Sequence, residues 1–428
     1  MATRRAALTV LEQVRGGAPF DRALERAAGG LPQPDRRFVH EVSAGVLRHQ
    51  ELLDHELAPL ARYGWERVPD RLKDILRIGA YQLRFLDRVP PHAAVSTSVT
   101  LAREAGEGGG GKVSGFVNAL LRSIANTPAS SNTAPMDLAT RYSHPGWLVD
   151  RWLERFGTSE TETLLRWNNR RPMLVLQPAR LPARDIRKAL DEAGIASRDA
   201  PLGMGLSVEG GAPTSFPGYE EGAFIVQDPA QALVSRFAAP EMGAVVYDAC
   251  AAPGGKTVAL EHAARFVIAA DRRANRIPRL VDNLARAGAG RAGVILADAA
   301  APPVRAVDLV LVDAPCTGTG TFSRHPDARH RVHPDEITRL AMEQRHILDG
   351  AKTAVRPGGL LVYATCSLEP EENEQQVDRF LAENRDFQRE APEGFPQELL
   401  SPQGDLVLLP QRHRTDGAYA ARLRRADK

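Results

Sequence analysis

The 428-residue chain has three cysteines, and no two of them form a CxxC pair. That excludes a disulfide framework and a cysteine zinc site, and no metal is expected. Reduced thiols in the cytoplasm are the expectation. No apolar run approaches the roughly 18 residues of a membrane span, so no membrane is expected as a partner. MATRRAALTVLEQV, at the start, has two arginines but no long apolar stretch and no cleavage pattern. It reads as an amphipathic helix with Leu8, Leu11 and Val14 on one stripe rather than as a signal peptide. Internal repeats, a low-complexity tail and the GxGxxG dinucleotide fingerprint are also missing.

What is present is ordinary in total and uneven in distribution. Hydrophobic residues make up 43% and charged residues 25%, with a net charge of +2. Such totals fit a globular protein, and the length calls for two or three domains. Seven arginines fall within residues 265–291 against Asp271 and Asp282. Five arginines and four histidines fall within 322–346, and 368–398 is strongly acidic. Clustered arginine suits phosphate recognition, although solvated helix faces account for any single cluster equally well.

Apolar residues recur at helical spacing through 39–60, 71–86, 92–104 and 112–124, so residues 1–128 form an all-α domain. Val89-Pro90-Pro91 interrupts the pattern, residues 106–111 are a glycine break, and 126–135 is a linker rich in Ser, Thr, Asn and Pro. Residues 129–222 hold that linker and a small α+β segment, with helices at 145–156, 159–168 and 183–193 and strands at 173–177 and 206–208. From 223 to 428 strands alternate with helices. The strands are 245–248, 266–271, 292–298, 307–313 and 359–364, which predicts a parallel, doubly wound Rossmann-like sheet.

Three stretches carry chemistry. LVLVDAPCTGTGTFSRHPD (309–327) begins as a buried strand, ends it at Asp313 and Pro315, and at once presents Cys316. LLVYATCSLEPEEN (360–373) does the same with Cys366. Ligands of open α/β sheets bind off the carboxyl ends of strands, so both thiols are aimed there. VVYDACAAPGGKT (245–257) is a strand, a small-residue loop and a helix, a form that lets backbone amides approach a ligand. GGKT resembles the end of a P-loop, but that spacing needs glycine at the position of Cys250. Strand-end acids follow at Asp271, Asp298 and Asp313. The first suits ribose hydroxyls, the next an adenine amino group, and the last a sulfonium or the substrate base. Any one strand-end Asp could instead be a simple cap.

Together CAAPGGKT (250–257), DAPC with RHPD (313–327) and YATCSLEPEEN (363–373) resemble the RsmB/Sun (Fmu) family of RNA 5-methylcytosine methyltransferases. The helical part is similar to a NusB-type RNA-binding domain, on LRIGAYQLRFLDRVPPHAAV (76–95) and GFVNALLR (115–122), and QDPAQALV (227–234) also fits. Two departures are mild: Thr317 replaces a common Ser, and DGAYAARL (416–423) lacks one aromatic of a DGFF-type strand. The resemblance implies a multidomain fold: an all-α NusB-like domain, a small α+β middle segment and a Rossmann-like methyltransferase domain.

The resemblance further implies methylation of carbon 5 of a cytosine in 16S rRNA, typically cytosine 967, with tRNA left open. S-adenosylmethionine is the implied cofactor, held by Cys250, Ala251, Ala252, Pro253, Gly254, Gly255, Lys256, Asp271, Arg276, Asp298 and Asp313. Cys366 is the implied nucleophile, Cys316 the group assisting release, and Asp313 the partner of the base. Cys250 is expected to give a backbone contact only. Arg324, His325 and Arg329 are candidate RNA contacts, small-subunit rRNA is the partner, and a monomer is the expected state. A thiolate adding to carbon 6 makes carbon 5 nucleophilic, which is why this chemistry needs a cysteine at all. The acidic run after Cys366 opposes thiolate formation unless it turns away.

Overall fold

The computed structural model describes residues 1–105, 110–127 and 136–427, so most of the glycine break and nearly all of the linker fall outside the described residues. The chain divides into two compact units. One is Met1–Arg170 with Phe322–Arg331, and the other is Arg171–Thr321 with Val332–Lys428.

Among its described residues the first unit is helical. It comprises α1 (Ala2–Arg15), α2 (Phe20–Ala28), α3 (Gln33–Arg48), α4 (Gln50–Leu57), α5 (Asp70–Phe85), α6 (Pro91–Glu104), α7 (Gly110–Asn126), α8 (Leu138–Tyr142) and α9 (Gly146–Asn168). The expected stripe on α1 is the buried one, with Ala7 and Val10 beside Leu8, Leu11 and Val14. Prolines punctuate the bundle. Pro19, Pro32, Pro69 and Pro90 stand just before α2, α3, α5 and α6, where a missing N–H costs no helical bond. Leu53, Ile75, Leu76, Val117 and Leu121 join α1 in one apolar core.

A ten-residue segment, Phe322–Arg331, belongs to this unit although it follows Cys316 in sequence. Its anchor is Arg329, which is 0% exposed. The guanidinium donates to the carbonyls of Asn168 at 3.0 Å and Ser143 at 3.3 Å and to Asn169 Oδ1 at 2.6 Å. It also reaches the carbonyl of Arg48 at 3.3 Å. The Phe20 amide donates to Asp327 Oδ2 at 3.1 Å, and His330 Nε2 lies 2.8 Å from the Leu47 carbonyl oxygen. Burial, aided by Arg48, lowers Arg329 to about 9, which still leaves it charged at neutral pH. Arg329 is therefore a structural cation, not the RNA contact its sequence neighbourhood suggested. His325 is exposed, with Nδ1 3.9 Å from Asp21 Oδ2.

The second unit carries two sheets. The smaller comprises β1 (Leu174–Pro178), β2 (Ser197–Asp199), β3 (Leu206–Val208) and β4 (Phe224–Val226), in the antiparallel order β2-β3-β1-β4. Helix α10 (Ala183–Glu192) covers it with Ile186 and Leu190. The larger sheet contains β5 (Val245–Asp248), β6 (Phe266–Asp271), β7 (Ala292–Leu296), β8 (Val307–Asp313), β9 (Val355–Thr365), β10 (Phe387–Arg389), β11 (Leu406–Leu408) and β12 (Ala418–Arg425). Its order is β10-β12-β9-β8-β5-β6-β7, with β11 also on β12. The five strands from β9 to β7 are parallel, as expected. The sheet as a whole is mixed, because β12 runs antiparallel to β9 and to β10 and β11.

Both faces of the parallel strands are covered, which explains their unbroken apolar runs. Val246, Leu309, Leu311, Leu360 and Val362 pack on one side. Tyr247, Val310, Val312, Leu361 and Tyr363 pack on the other. Flanking helices include α11 (Pro229–Ala238), α12 (Gly255–Glu261), α13 (Ile277–Ala287), α14 (Pro334–Ala351) and α15 (Glu374–Glu383). Among the described residues, no helix is long and apolar enough to cross a membrane.

Histidine burial makes the first unit acid-sensitive. His49 stacks on Phe85 with ring centroids 4.3 Å apart, and burial lowers it to about 3, with Arg329 and Arg48 adding to the effect. An unfolded histidine binds its proton near pH 6.5, so between about pH 6.5 and 3 the unfolded chain holds a proton that the folded chain refuses. Stability from this residue is lost as pH falls through that window, by at most about 1.4 kcal/mol per pH unit. His49→Phe is expected to flatten the decline by up to that amount. Hydrogen exchange of α4 and α5 in the full chain at pH 7 and pH 5 measures it, and an unchanged slope would refute the assignment.

Candidate active site

The site builds from the carboxyl ends of β5, β6, β8 and β9. At β5, Asp248 is fully buried and Oδ2 accepts from Thr257 Oγ1 at 2.7 Å. Burial pushes its carboxyl up to about 7, with the charge of Asp313 adding and the Thr257 bond opposing. The loop that follows is anchored to both neighbouring strands. Ala249 N donates to the Leu311 carbonyl at 2.9 Å, and Ala251 N to that of Ala270 at 2.8 Å. The Ala252–Pro253 peptide is cis, and Gly254, at φ +108°, takes a left-handed conformation that other residues adopt only with strain.

Lys256 turns inward. Its Nζ lies 2.8 Å from Asp313 Oδ2 and also donates to Gln231 Oε1. This orientation pairs with Asp313 the cation that a P-loop would hold against a phosphate, so the P-loop reading fails on geometry as well as on spacing. Asp271 is 3% exposed. Its Oδ1 accepts from Arg273 N at 2.8 Å, and Oδ2 lies 2.9 Å from Arg276 Nη1. Arg276 also donates to the Ala252 carbonyl, and Asn283 Nδ2 to that of Pro253 at 2.9 Å. Arg276 thus ties the acid at the end of β6 to the glycine loop. Asp298 lies two residues past β7, is exposed, and caps its turn by accepting from Ala300 N at 2.9 Å. Two of the three strand-end acids therefore do serve as turn acceptors. Each carboxylate oxygen has a second lone pair for a ligand.

Cys250 is partly buried, and its thiol is pushed up by burial and then by Asp313, Asp248 and Asp271, so it stays protonated. Cys316 and Cys366 meet: their sulfurs are 3.3 Å apart. The Cys316 thiol is raised by its bond to Cys366, by burial, and by the charges of Cys366 and Glu372. The two cysteine loops are joined along their length. Gly320 N donates to the Cys366 carbonyl at 3.0 Å, Gly417 N to that of Gly320 at 2.8 Å, and Leu368 N to Thr319 Oγ1 at 2.8 Å.

Sequence reasoning missed Glu372 and Asn373. The acidic run does not turn away from the thiols. Glu372 is 0% exposed and accepts from Thr317 N at 2.9 Å, from Gln344 Nε2 at 2.9 Å, and from the hydroxyls of Thr317 and Ser367. The EEN ending of the third motif was the available signal.

Elsewhere, a 930 Å³ cleft lined by Arg305, His346, Thr353 and Arg425 among others opens at the amino ends of β8 and β9, away from the thiols. Among the described residues no group of three or more His, Cys, Asp or Glu could hold a metal ion.

By fold and by comparison the second unit contains a methyltransferase domain. Residues 236–424 match the model for the 16S rRNA methyltransferase RsmB/F family, 1–126 that for the NusB family, and 144–214 that for the RsmF/B-like ferredoxin-like domain. A probable ribosomal RNA small subunit methyltransferase B of Synechocystis is 35% identical over 100% of both chains. One from Bacillus subtilis is 30% identical over 92% of each. The chain belongs to the RsmB/F family, whose members are S-adenosylmethionine-dependent rRNA small-subunit methyltransferases. Among solved structures, PH0851 aligns with a TM-score of 0.81 at 25% identity over 98% of both chains. NSun6 from Pyrococcus horikoshii, solved with SFG, shares the fold at a TM-score of 0.59 and 21% identity, covering 66% of this chain and 98% of its own.

The contact between the cysteine loops leaves no room at Gly320. A Cβ there would lie 2.7 Å from both the Cys366 carbonyl oxygen and Gly417 Cα. Gly320→Ala is expected to destabilise the chain by about 1–3 kcal/mol. Urea denaturation reads this directly, and a loss below about 0.5 kcal/mol would show that the loops part freely.

Proposed function

We propose that this protein methylates carbon 5 of a cytosine in 16S rRNA, with cytosine 967 as the target, through a covalent cysteine–cytosine adduct. The observation that carries the reading is the 3.3 Å approach of Cys316 and Cys366 beside the end of the strand that bears Asp313. A single nucleophile needs no second thiol at van der Waals distance. A covalent intermediate that must be both made and broken has a use for two.

S-adenosylmethionine, when bound, supplies an electrophilic methyl on a cationic sulfur. The chain's residues fit it by donor chemistry: Asp271 and Asp298 offer acceptors for hydroxyl and amino groups, and the 250–255 loop offers backbone. Arg276 holds that loop, and Lys256 holds Asp313. The thiolate of Cys366 forms a bond to carbon 6, and the displaced π pair makes carbon 5 nucleophilic. Asp313 hydrogen-bonds the base at ring nitrogen 3, which takes up a proton from solvent as the adduct forms and gives it back when the aromatic ring is restored. After carbon 5 carries its methyl, it gives up its proton to a base. That pair re-forms the ring double bond, and the C6–Sγ pair returns to Cys366. Cys316, adjacent to the leaving sulfur and held as a neutral thiol, assists this return step.

The target base must leave its stack to be reached. Specificity then comes from RNA shape and backbone contacts, to which the NusB-like part adds affinity. The working partner is small-subunit rRNA in the cytoplasm, and the protein acts as a monomer.

Cys366→Ala is expected to abolish methylation of an rRNA transcript. Cys316→Ala should instead accumulate a protein–RNA adduct, seen as a shifted band on a denaturing gel. Full activity in Cys366→Ala would end the mechanism. Calorimetry with S-adenosylhomocysteine tests the cofactor independently of turnover, since a purely RNA-binding factor would show no heat. Mapping 5-methylcytosine in rRNA from a strain lacking the protein identifies the nucleotide.

A further inference from the structure

We infer that Glu372, with Asn373 beside it, is the positioning residue that holds the two cysteine loops in register for catalysis, an inference that rests on the reading above. The acid belongs to neither cysteine loop's own backbone bonds, yet it binds both loops. On the Cys316 side, Thr317 gives Glu372 its amide at 2.9 Å and its hydroxyl. Gln344, from α14, donates to Glu372 Oε1 and to the Pro315 carbonyl, both at 2.9 Å. The residues before and after Cys316 are therefore fixed through one carboxylate and one amide. On the Cys366 side, Ser367 donates its hydroxyl to Glu372 Oε2. Thr365 Oγ1 donates to Asn373 Oδ1 at 2.5 Å, and Asn373 Nδ2 donates to the Ser367 carbonyl at 2.9 Å. Cys366 too is bracketed on both sides.

The chemistry of the group matters as much as its place. A buried carboxylate accepting four bonds is costly to create and is retained only where those bonds are all made. Burial raises its carboxyl, and the bonds from Ser367, Thr317 and Gln344 work against that rise. Its charge also helps keep Cys316 a thiol. Glutamine preserves the shape: Oε1 can take the Thr317 amide and Gln344, while Nε2 faces two hydroxyls able to accept. Thr317 Oγ1 and Ser367 Oγ, 3.2 Å apart, can then reorient their protons. Alanine leaves four donors without that acceptor, and a buried void.

The test compares the full chain with Glu372→Ala and Glu372→Gln, and with Thr317→Val/Ser367→Ala in case the alanine variant does not fold. Three readouts are taken: kcat on an rRNA transcript, the rate at which diamide closes Cys316 and Cys366 into a disulfide, and the pH profile of Cys316 alkylation in a Cys366→Ala background. Diamide accepts the two thiol hydrogens and is reduced to its hydrazine, so this readout needs no RNA. Glu372→Ala, or the double variant, should lower kcat about 100-fold, as expected for reacting groups displaced by about 1 Å, with KM for the cofactor little changed. It should also slow disulfide closure. Glu372→Gln should recover kcat to within about tenfold and move the Cys316 alkylation profile to lower pH, because a charge has been removed without the geometry. If Glu372→Ala and the double variant keep both kcat and closure rate, the inference is overturned, and it is equally overturned if glutamine is no better than alanine. A Cys316→Ala protein that traps no adduct would instead overturn the proposed function, leaving disulfide closure to judge the clamp alone.

Discussion

The meeting of two sulfurs depends on the register of one parallel strand pair. Asp313 of β8 faces Ala364 of β9, and Val312 faces Tyr363. From that row the two chains leave the sheet together, one reaching Cys316 three residues later and the other Cys366 after two. A slip of one residue would turn every side chain to the opposite face and carry the thiols apart. The register is fixed by burial on both faces, since alternate residues of β8 and β9 enter two separate apolar cores. The ordinary packing of Leu and Val thus sets a distance that the chemistry needs.

Around this pair the polar groups divide the work. Lys256 neutralises Asp313, Arg276 braces the glycine loop against Asp271, and Thr257 satisfies one oxygen of Asp248. The first two tie one strand end to its neighbour and the third ties β5 to α12, so the upper edge of the sheet is cross-linked. Tyr419 contributes at the antiparallel side by donating to Asp405 Oδ2 at 2.7 Å. The aromatic missing from that strand, at Ala418, leaves a fully covered alanine in the core.

Much of this was legible in the sequence because strands buried on both faces advertise themselves. The runs ending at Asp248, Asp271 and Asp313 were read to the residue, and Pro315 marked where the last one stops. The short edge strands β10 and β11 were not, since three residues carry too little period to detect. Glu372 was hidden by its company: in an acidic run, a carboxylate reads as solvated surface, and only the bonds from distant Thr317 and Gln344 reveal otherwise. Arg329 was misread for the same reason in reverse. An arginine in a basic loop suggests phosphate, yet this one is enclosed by main-chain carbonyls that lie far from it in sequence. Lys256 was assigned by its motif, and its inward turn toward Asp313 follows from tertiary position.

The segment Phe322–Arg331 makes the architecture discontinuous, because the first unit is assembled from two separated stretches of chain. No single cut yields both units whole: a chain ended after Arg170 lacks the decapeptide, and a chain begun at Arg171 carries it with nothing to enclose Arg329. Expressing the helical part alone therefore removes the decapeptide whose Arg329 is bonded to it.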